Sequence, residues 1–307
     1  MMKKSLFYFL LLLPLASCLT ACNNDDDDEQ GASALVVIND DGTTSNGSTF
    51  SVIDSLNFYL DHIKYNIVEP HLVVDKYDKK NFSGVANIPP IIIYKGKVYD
   101  VTRVWRYAFQ GCTGLTSLTL PNSMKYIGTN AFAGCTGLTS LTLPNSVTSL
   151  EWGSFQGCTA LTSVTLPDSI NCVGDAAFRG CTSLSSITIP NSVTMIGEEA
   201  FAGCKSLTSI TIPNSVTLVD GRAFEGCTGL TSITFPSSVT YVGPHALYGC
   251  TGLTSIHCQG MTPPRKGFSS PIAPDICQNV TLYVPKGALS AYQSANDWKD
   301  FKTIVEE

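Results

Sequence analysis

Cys112, Cys135, Cys158, Cys181, Cys204, Cys227 and Cys250 stand 23 residues apart, and each sits in the same phrase. The second copy reads Ala131-Phe132-Ala133-Gly134-Cys135-Thr136-Gly137-Leu138-Thr139-Ser140-Leu141-Thr142-Leu143-Pro144-Asn145-Ser146-Val147. A fixed period between about 20 and 50 residues marks a solenoid and overrides domain counting by length. One coil cannot bury its apolar side alone, so each needs a neighbour. Such an array presents a long, regular surface, which favours binding over catalysis.

Within a copy, Leu138-x-x-Leu141-x-Leu143 predicts a strand with Leu141 and Leu143 inward and Ser140 and Thr142 outward. Pro144 lacks an N–H for the ladder and ends it. Asn145-Ser146 turns the chain, and Val147-x-x-Leu150 opens a second side with two more inward residues. A glycine usually follows (Gly128, Gly174, Gly197, Gly243), which fits a sharp bend. Ala-Phe then predicts a short helical turn, closed by Gly-Cys. Phe132, Phe155, Phe178, Phe201 and Phe224 recur at the same period and stack as a second ladder, with Leu247 in the last copy.

The cysteines of adjacent copies would lie one strand spacing apart, about 4.8 Å, with parallel Cβ vectors. A disulfide needs Cβ atoms about 3.8 Å apart. The seven are therefore read as a reduced, buried, apolar ladder. No metal site is expected, because no His recurs with them and no CxxC occurs. Cys172 falls outside the ladder at an outward position. For Cys258 and Cys277 the sequence leaves both pairing and free thiols open.

The N-terminus carries a different signal. Met1-Met2-Lys3-Lys4 is basic, and Leu6 to Leu13 is apolar but too short to span a bilayer. Leu15-Ala16-Ser17-Cys18 and Leu19-Thr20-Ala21-Cys22 both resemble the lipobox of bacterial lipoproteins, with Cys22 favoured as the acylated residue and Cys18 the alternative. The following Asn23-Asn24-Asp25-Asp26-Asp27-Asp28-Glu29 resembles the acidic stretch that directs some Gram-negative lipoproteins to the outer face of the outer membrane. Residues 23–50 have little to bury and read as a flexible tether with a reach on the order of 30 Å. A lipid anchor is thus the expected membrane link. With Lys+Arg at 19 and a formal charge of −6, no basic patch suggests nucleic acid.

The repeated phrase resembles the BspA-like leucine-rich repeats, also called the Treponema pallidum type, over about 101 to 258. Tyr94-Lys95-Gly96-Lys97-Val98-Tyr99-Asp100-Val101 looks like the family's opening strand. Leu282-Tyr283-Val284-Pro285-Lys286-Gly287-Ala288, with Tyr292, Trp298 and Phe301, looks like its closing cap. The resemblance implies a leucine-rich-repeat solenoid, a right-handed coil with a parallel β-sheet face, short helical turns and β-rich caps. It also implies adhesion to host proteins or cells. The expected layout is signal 1–22, tether 23–50, N-terminal β cap 51–100, about seven repeats over 101–260 and C-terminal cap 261–307. Caps follow from physics, because open solenoid ends would expose core and unpaired strand edges.

Three surfaces are candidates for a ligand. The outward strand positions, from Ser117/Thr119 to Ser255/His257, form uniform hydroxyl columns that also suit soluble strands. A second column, Tyr126, Ser149, Cys172, Met195, Leu218 and Tyr241, places apolar groups in an outward row. Trp152 interrupts a column of small or polar residues and is the foremost anchor. Ligand binding is therefore expected around Trp152, Tyr126 and Tyr241, to a protein or glycan, by a monomer. Asp54-Ser55-Leu56 and Asp168-Ser169-Ile170 match a short O-glycosylation sequon at Ser55 and Ser169. No cofactor and no catalysis are expected. His62, His71, His245 and His257 have no partner at motif spacing, and no GxSxG, HExxH or phosphate-loop pattern occurs.

Overall fold

Each 23-residue copy makes one coil with three sides, and a computed structural model shows how they stack. It describes residues 35–39, 41–53, 57–77, 84–267, 269–296 and 298–307. On the first side, Ser140–Thr142, Ser163–Thr165 and Ser186–Thr188 pair in parallel, residue on residue at the repeat spacing. Bridges through Thr211 carry this column on to Ser232–Phe235 and Ser255–Cys258. The second side is a parallel ladder of two-residue strands, among them Cys172–Val173, Met195–Ile196, Leu218–Val219 and Tyr241–Val242.

The alternation of the sequence sets what faces the core. In one coil, Leu161, Val164, Leu166, Ile170, Val173, Phe178 and Cys181 are all buried, whereas Ser163 and Thr165 are exposed. Phe132, Phe155, Phe178, Phe201 and Phe224 stack with centroids 5.3–5.8 Å apart and planes within 9° of parallel. Phe109 extends this row by one, 5.0 Å from Phe132. Centroid separations of this size with near-parallel planes are the offset arrangement favoured by the ring quadrupole.

The third side corrects the expected helical turn. No helix forms there among the described residues. Its amides instead alternate between two partners. Phe155 and Gly157 donate to Ala177 and Arg179 of the next coil, at 2.9 and 2.7 Å. Ser154, Gln156 and Cys158 donate three residues back, to Glu151, Gly153 and Phe155. This zigzag needs a left-handed residue in each coil. Tyr107, Asn130, Ala176, Glu199, Arg222 and His245 take φ between 52° and 61°, and Gly153 has φ 63°. At the preceding bend the contacts are closer still. A Cβ on Gly174 would lie 2.0 Å from the Leu150 carbonyl oxygen, so only glycine fits.

The N-terminal cap is a sheet in the order β1-β7-β8-β5-β4-β3-β2. Its strands are β1 (Val36–Ile38), β2 (Phe50–Val52), β3 (Asn57–Leu60), β4 (Ile63–Val68), β5 (His71–Tyr77), β7 (Ile91–Tyr94) and β8 (Lys97–Val104), while β6 (Gly84–Asn87) pairs with Leu115–Thr119 instead. Two expected boundaries change. The stretch read as tether contains β1, which pairs in parallel with β7 and buries Val36 and Ile38. Those two apolar side chains alternate toward the cap's core, which is why so short a patch is ordered. The cap also runs past residue 100, since β8 ends at Val104 and templates Tyr126–Ile127. Both ladders of the solenoid therefore start on cap strands.

At the other end, the cap continues the same lattice. Thr281–Val284 and Thr303–Glu306 extend the first column in parallel, and Arg265–Lys266 extends the second. Two six-residue helices, Pro274–Asn279 and Leu289–Ser294, lie between these strands. Tyr292, Trp298 and Phe301 are buried there, with Trp298 Nε1 donating to the Pro264 carbonyl at 3.1 Å. Among the described residues no helix is long and apolar enough to cross a membrane.

Candidate functional site

The cysteine ladder carries more chemistry than an apolar row. Cys158, Cys181 and Cys204 direct Sγ at the carbonyls of Phe132, Phe155 and Phe178 in the preceding coil, each at 3.2 Å. Those carbonyls already accept the amide of the cysteine in their own coil, for example Cys158 N to Phe155 O at 3.3 Å. The thiol thus takes the second lone pair of a buried acceptor. All seven ladder cysteines are buried free thiols. Burial pushes the Cys204 and Cys250 thiols up to about 12, so they remain protonated donors at neutral pH. Cys258 and Cys277 are buried and are not joined by a disulfide. Among the described residues no three metal-ligating groups come together.

The hydroxyl face has two layers of function. Ser140, Thr142, Ser163, Thr165, Ser186 and Thr188 point to solvent. The threonines flanking the strands instead brace neighbouring coils. Thr162 Oγ1 donates to the Thr139 carbonyl at 3.0 Å and Thr254 Oγ1 to that of Thr231 at 3.1 Å. On the second side Thr240 Oγ1 does the same to Thr217 at 3.3 Å. A groove of about 800 Å³ runs across the exposed strand ends, with Thr188, Thr211, Thr234, Asp168, Asn191 and Asn214 along it.

Tyr126 and Tyr241 lie half-buried in one outward column of the second ladder, with Ser149, Cys172, Met195 and Leu218 between them. Arg103 caps this column over the Tyr126 ring at 5.8 Å, and Arg265 pairs with Tyr241. Burial, then the nearby Glu151 carboxylate, raises the Tyr126 phenol above its ordinary value. Trp152 is 46 % exposed on the third side, around a bend from this column. The three residues expected to share a ligand are therefore not one patch. Tyr241 is four coil steps beyond Ser149, about 19 Å along the array at the strand spacing. Two further exposed aromatics, Trp105 and Tyr107, accompany Trp152 on its own side. The sequence reading missed them because Trp105 and Tyr107 precede the first full phrase and have no column to interrupt.

Ser169 is committed to its turn, with Oγ donating to the Val147 carbonyl at 2.6 Å, so the hydroxyl a glycan would need is engaged. Ser55, Cys18 and Cys22 lie outside the described residues. His257 has no partner at motif spacing, but the fold brings one to it from far along the chain. Its Nδ1 is 3.0 Å from Glu307 Oε1, its Nε2 is 3.2 Å from Ser255 Oγ, and its ring stacks on Tyr283 at 4.6 Å. The order hydroxyl, imidazole, carboxylate is that of an acyl-transfer relay. Ser255 opens its strand, however, paired with Ser232 on one side and Thr281 on the other. Backbone amides there serve the ladder. The constellation clasps the last strand to the coils. A 50-residue separation hid it, although His257 replaces the Thr of its column.

Comparison with known proteins agrees with this architecture. The BspA type leucine rich repeat region matches in six copies, over residues 102–228 and 172–263. A leucine-rich repeat protein from Bacteroides ovatus superimposes with TM-score 0.53 at 26 % identity, covering 81 % of this chain and 76 % of that one. The T. pallidum leucine-rich repeat protein aligns with TM-score 0.43 at 27 % identity, over 64 % and 78 % of the two chains. A leucine rich cell surface protein from Faecalibacterium prausnitzii aligns with TM-score 0.49 at 20 % identity, over 83 % and 96 %. No curated protein matches the chain. The period, the two parallel ladders and the family match over more than half the sequence lead to one statement: the chain belongs to the BspA-type leucine-rich-repeat family.

Proposed function

We propose that this chain is a surface lipoprotein, acylated at Cys22 and carried on the outer face of a Gram-negative outer membrane, that binds a host or environmental macromolecule without turning it over. The observation that carries the reading is the repeat surface itself. Its exposed positions form long columns of small polar groups, interrupted at a few places by exposed aromatics such as Trp152. Uniform columns supply hydrogen bonds, and aromatics supply most of the discriminating energy of an interface. A second reading, accessory capture of polysaccharide, draws on the open groove lined by Thr188, Thr211, Asn191 and Asn214. The protein acts as a monomer in either case.

Two measurements test this. Mass spectrometry of the mature protein should find lipid on Cys22, and Cys22→Ala should leave the protein in the aqueous phase on detergent partition. Lipid on Cys18 would move the site, and an unmodified secreted form would reject the class. A screen of the chain against matrix proteins and polysaccharides should yield a ligand that Trp152→Ala weakens with little change in thermal transition. Undiminished affinity would remove Trp152 from the site.

A further inference from the structure

Among the described residues, the strongly exposed aromatic side chains are Trp105, Tyr107 and Trp152, at 42 %, 46 % and 46 %. All three lie at one end of the array, on or beside the third side. The hydrogen-bond register fixes their relation. Tyr107 N donates to Thr129 O, and Asn130 N to Trp152 O, so Trp152 stands two coil steps from Arg106, between Trp105 and Tyr107 in sequence. Two steps are roughly 10 Å along the array axis.

Trp105 and Tyr107 sit at crowded or strained backbone positions of the coil. Later coils have Gly128 and Gly174 at the place of Trp105, and a Cβ on Gly128 would lie 2.7 Å from Arg106 N. Trp105 escapes that collision because the strand before it is β5 of the cap, whose Val74 carbonyl accepts its amide at 2.7 Å. Tyr107 holds φ 61°, a left-handed position costly for a bulky residue. Beside Trp152, Gly153 leaves room for the Asn130 amide, which occupies the space a Cβ would take.

We infer that Trp105, Tyr107 and Trp152 form a platform for an extended β-linked polysaccharide running along the coil axis; the inference deepens, and rests on, the surface-binding reading above. In a β-1,4-linked chain every second sugar presents the same face, so rings two coils apart meet alternate units. The apolar faces of those units stack on the indoles and the phenol. Arg106, exposed, and Thr129, half-buried, lie between them and offer hydrogen bonds to sugar hydroxyls. A protein partner fits less well. Interface hot spots gather at one centre within a ring of sheltering contacts, whereas Trp152 stands two coil steps from Trp105 and Tyr107.

Affinity electrophoresis of the full-length chain tests this, in gels containing hydroxyethyl cellulose, xyloglucan or galactomannan, with α-linked dextran as the comparison. The expected result is retardation by at least one β-linked polymer and not by dextran. Trp152→Ala should weaken binding about tenfold or more. The triple variant Trp105→Ala, Tyr107→Ala, Trp152→Ala should migrate as in a polymer-free gel, and Trp152→Phe should retain most of the retardation. The thermal transition of each variant reports whether the coils remain folded. Where an alanine variant does not fold, Trp152→Glu, which places there the side chain that Glu198 holds at the same coil position, carries the decision by losing the retardation. Free migration of the parent chain in all β-linked gels overturns the platform, as does unchanged retardation of the folded triple variant. Equal retardation by dextran overturns the stacking geometry. Binding to a matrix protein, lost in the triple variant without any glycan retardation, would overturn the platform while leaving the surface-binding reading standing.

Discussion

Cys181 shows how much a single repeated side chain does in this array. It fills the core beside Phe178 and donates its thiol to the Phe155 carbonyl of the coil before. The sequence established that the position is buried and reduced, because neighbouring Cβ atoms are too far apart to bridge. It did not reveal the donor role, since the accepting carbonyl belongs to another coil and appears only once the register is known. The chemical consequence is a set of thiols that do not react while the fold persists. Folded protein should give no ladder thiol to a thiolate-detecting reagent at neutral pH, and all seven after denaturation. A mass map showing ladder disulfides would end this view. Alkali offers a second arm of the same test. The Cys204 and Cys250 thiols lie at about 12 in the fold against an ordinary 9.0. A raised folded value favours the fold fully below the unfolded value, and that contribution disappears as pH climbs toward 12. The unfolding midpoint should therefore fall between pH 9 and 11.

At the scale of one element, the inward and outward alternation of the strand and the aromatic stack make opposite demands on substitution. Phe178 lies between Phe155 and Phe201 at 5.8 and 5.7 Å and is fully buried. Truncating such a ring to alanine costs roughly 3–5 kcal/mol. Thr165 is exposed on the strand face, where replacement by alanine stays within about 0.5 kcal/mol. Denaturant unfolding of Phe178→Ala and Thr165→Ala should separate them clearly, and equal losses would invert the assignment of sides. That assignment was legible in the sequence because strand alternation has a period of two and the copies are nearly identical. The third side was not. Ala-Phe followed by Gly-Cys reads as a helical turn when local preference alone is weighed, whereas here every second amide is taken by the next coil, which local sequence cannot express. The candidate site was read in the same proportion. Trp152 stood out by breaking a column, but Trp105, Tyr107 and the His257–Glu307 pair depend on the cap and on residues far along the chain.

Across the whole molecule, stability passes from cap to cap through contacts between residues about 23 apart, since each coil bonds to the next in identical register. Removing residues 170–192 takes out one full period and should leave a cooperative transition lowered by only a few degrees, followed by circular dichroism. Removing 171–192, one residue fewer, should lower the transition much further or cause aggregation, because the extra residue turns inward side chains of the junction coil outward. Comparable behaviour of the two deletions would contradict the register. The zigzag of third-side amides also limits how such a gene can change. An inserted residue there would hand each donor its neighbour's partner, so the coils of the array keep 23 residues, and the spacing widens at the closing cap, to 24 at Tyr241–Arg265. What remains free is the number of whole copies, gained or lost by recombination between near-identical segments, and the identity of side chains at outward positions. The lattice thus behaves as a printed page of constant line length, in which new text enters only as complete lines or as letters exchanged on the margin.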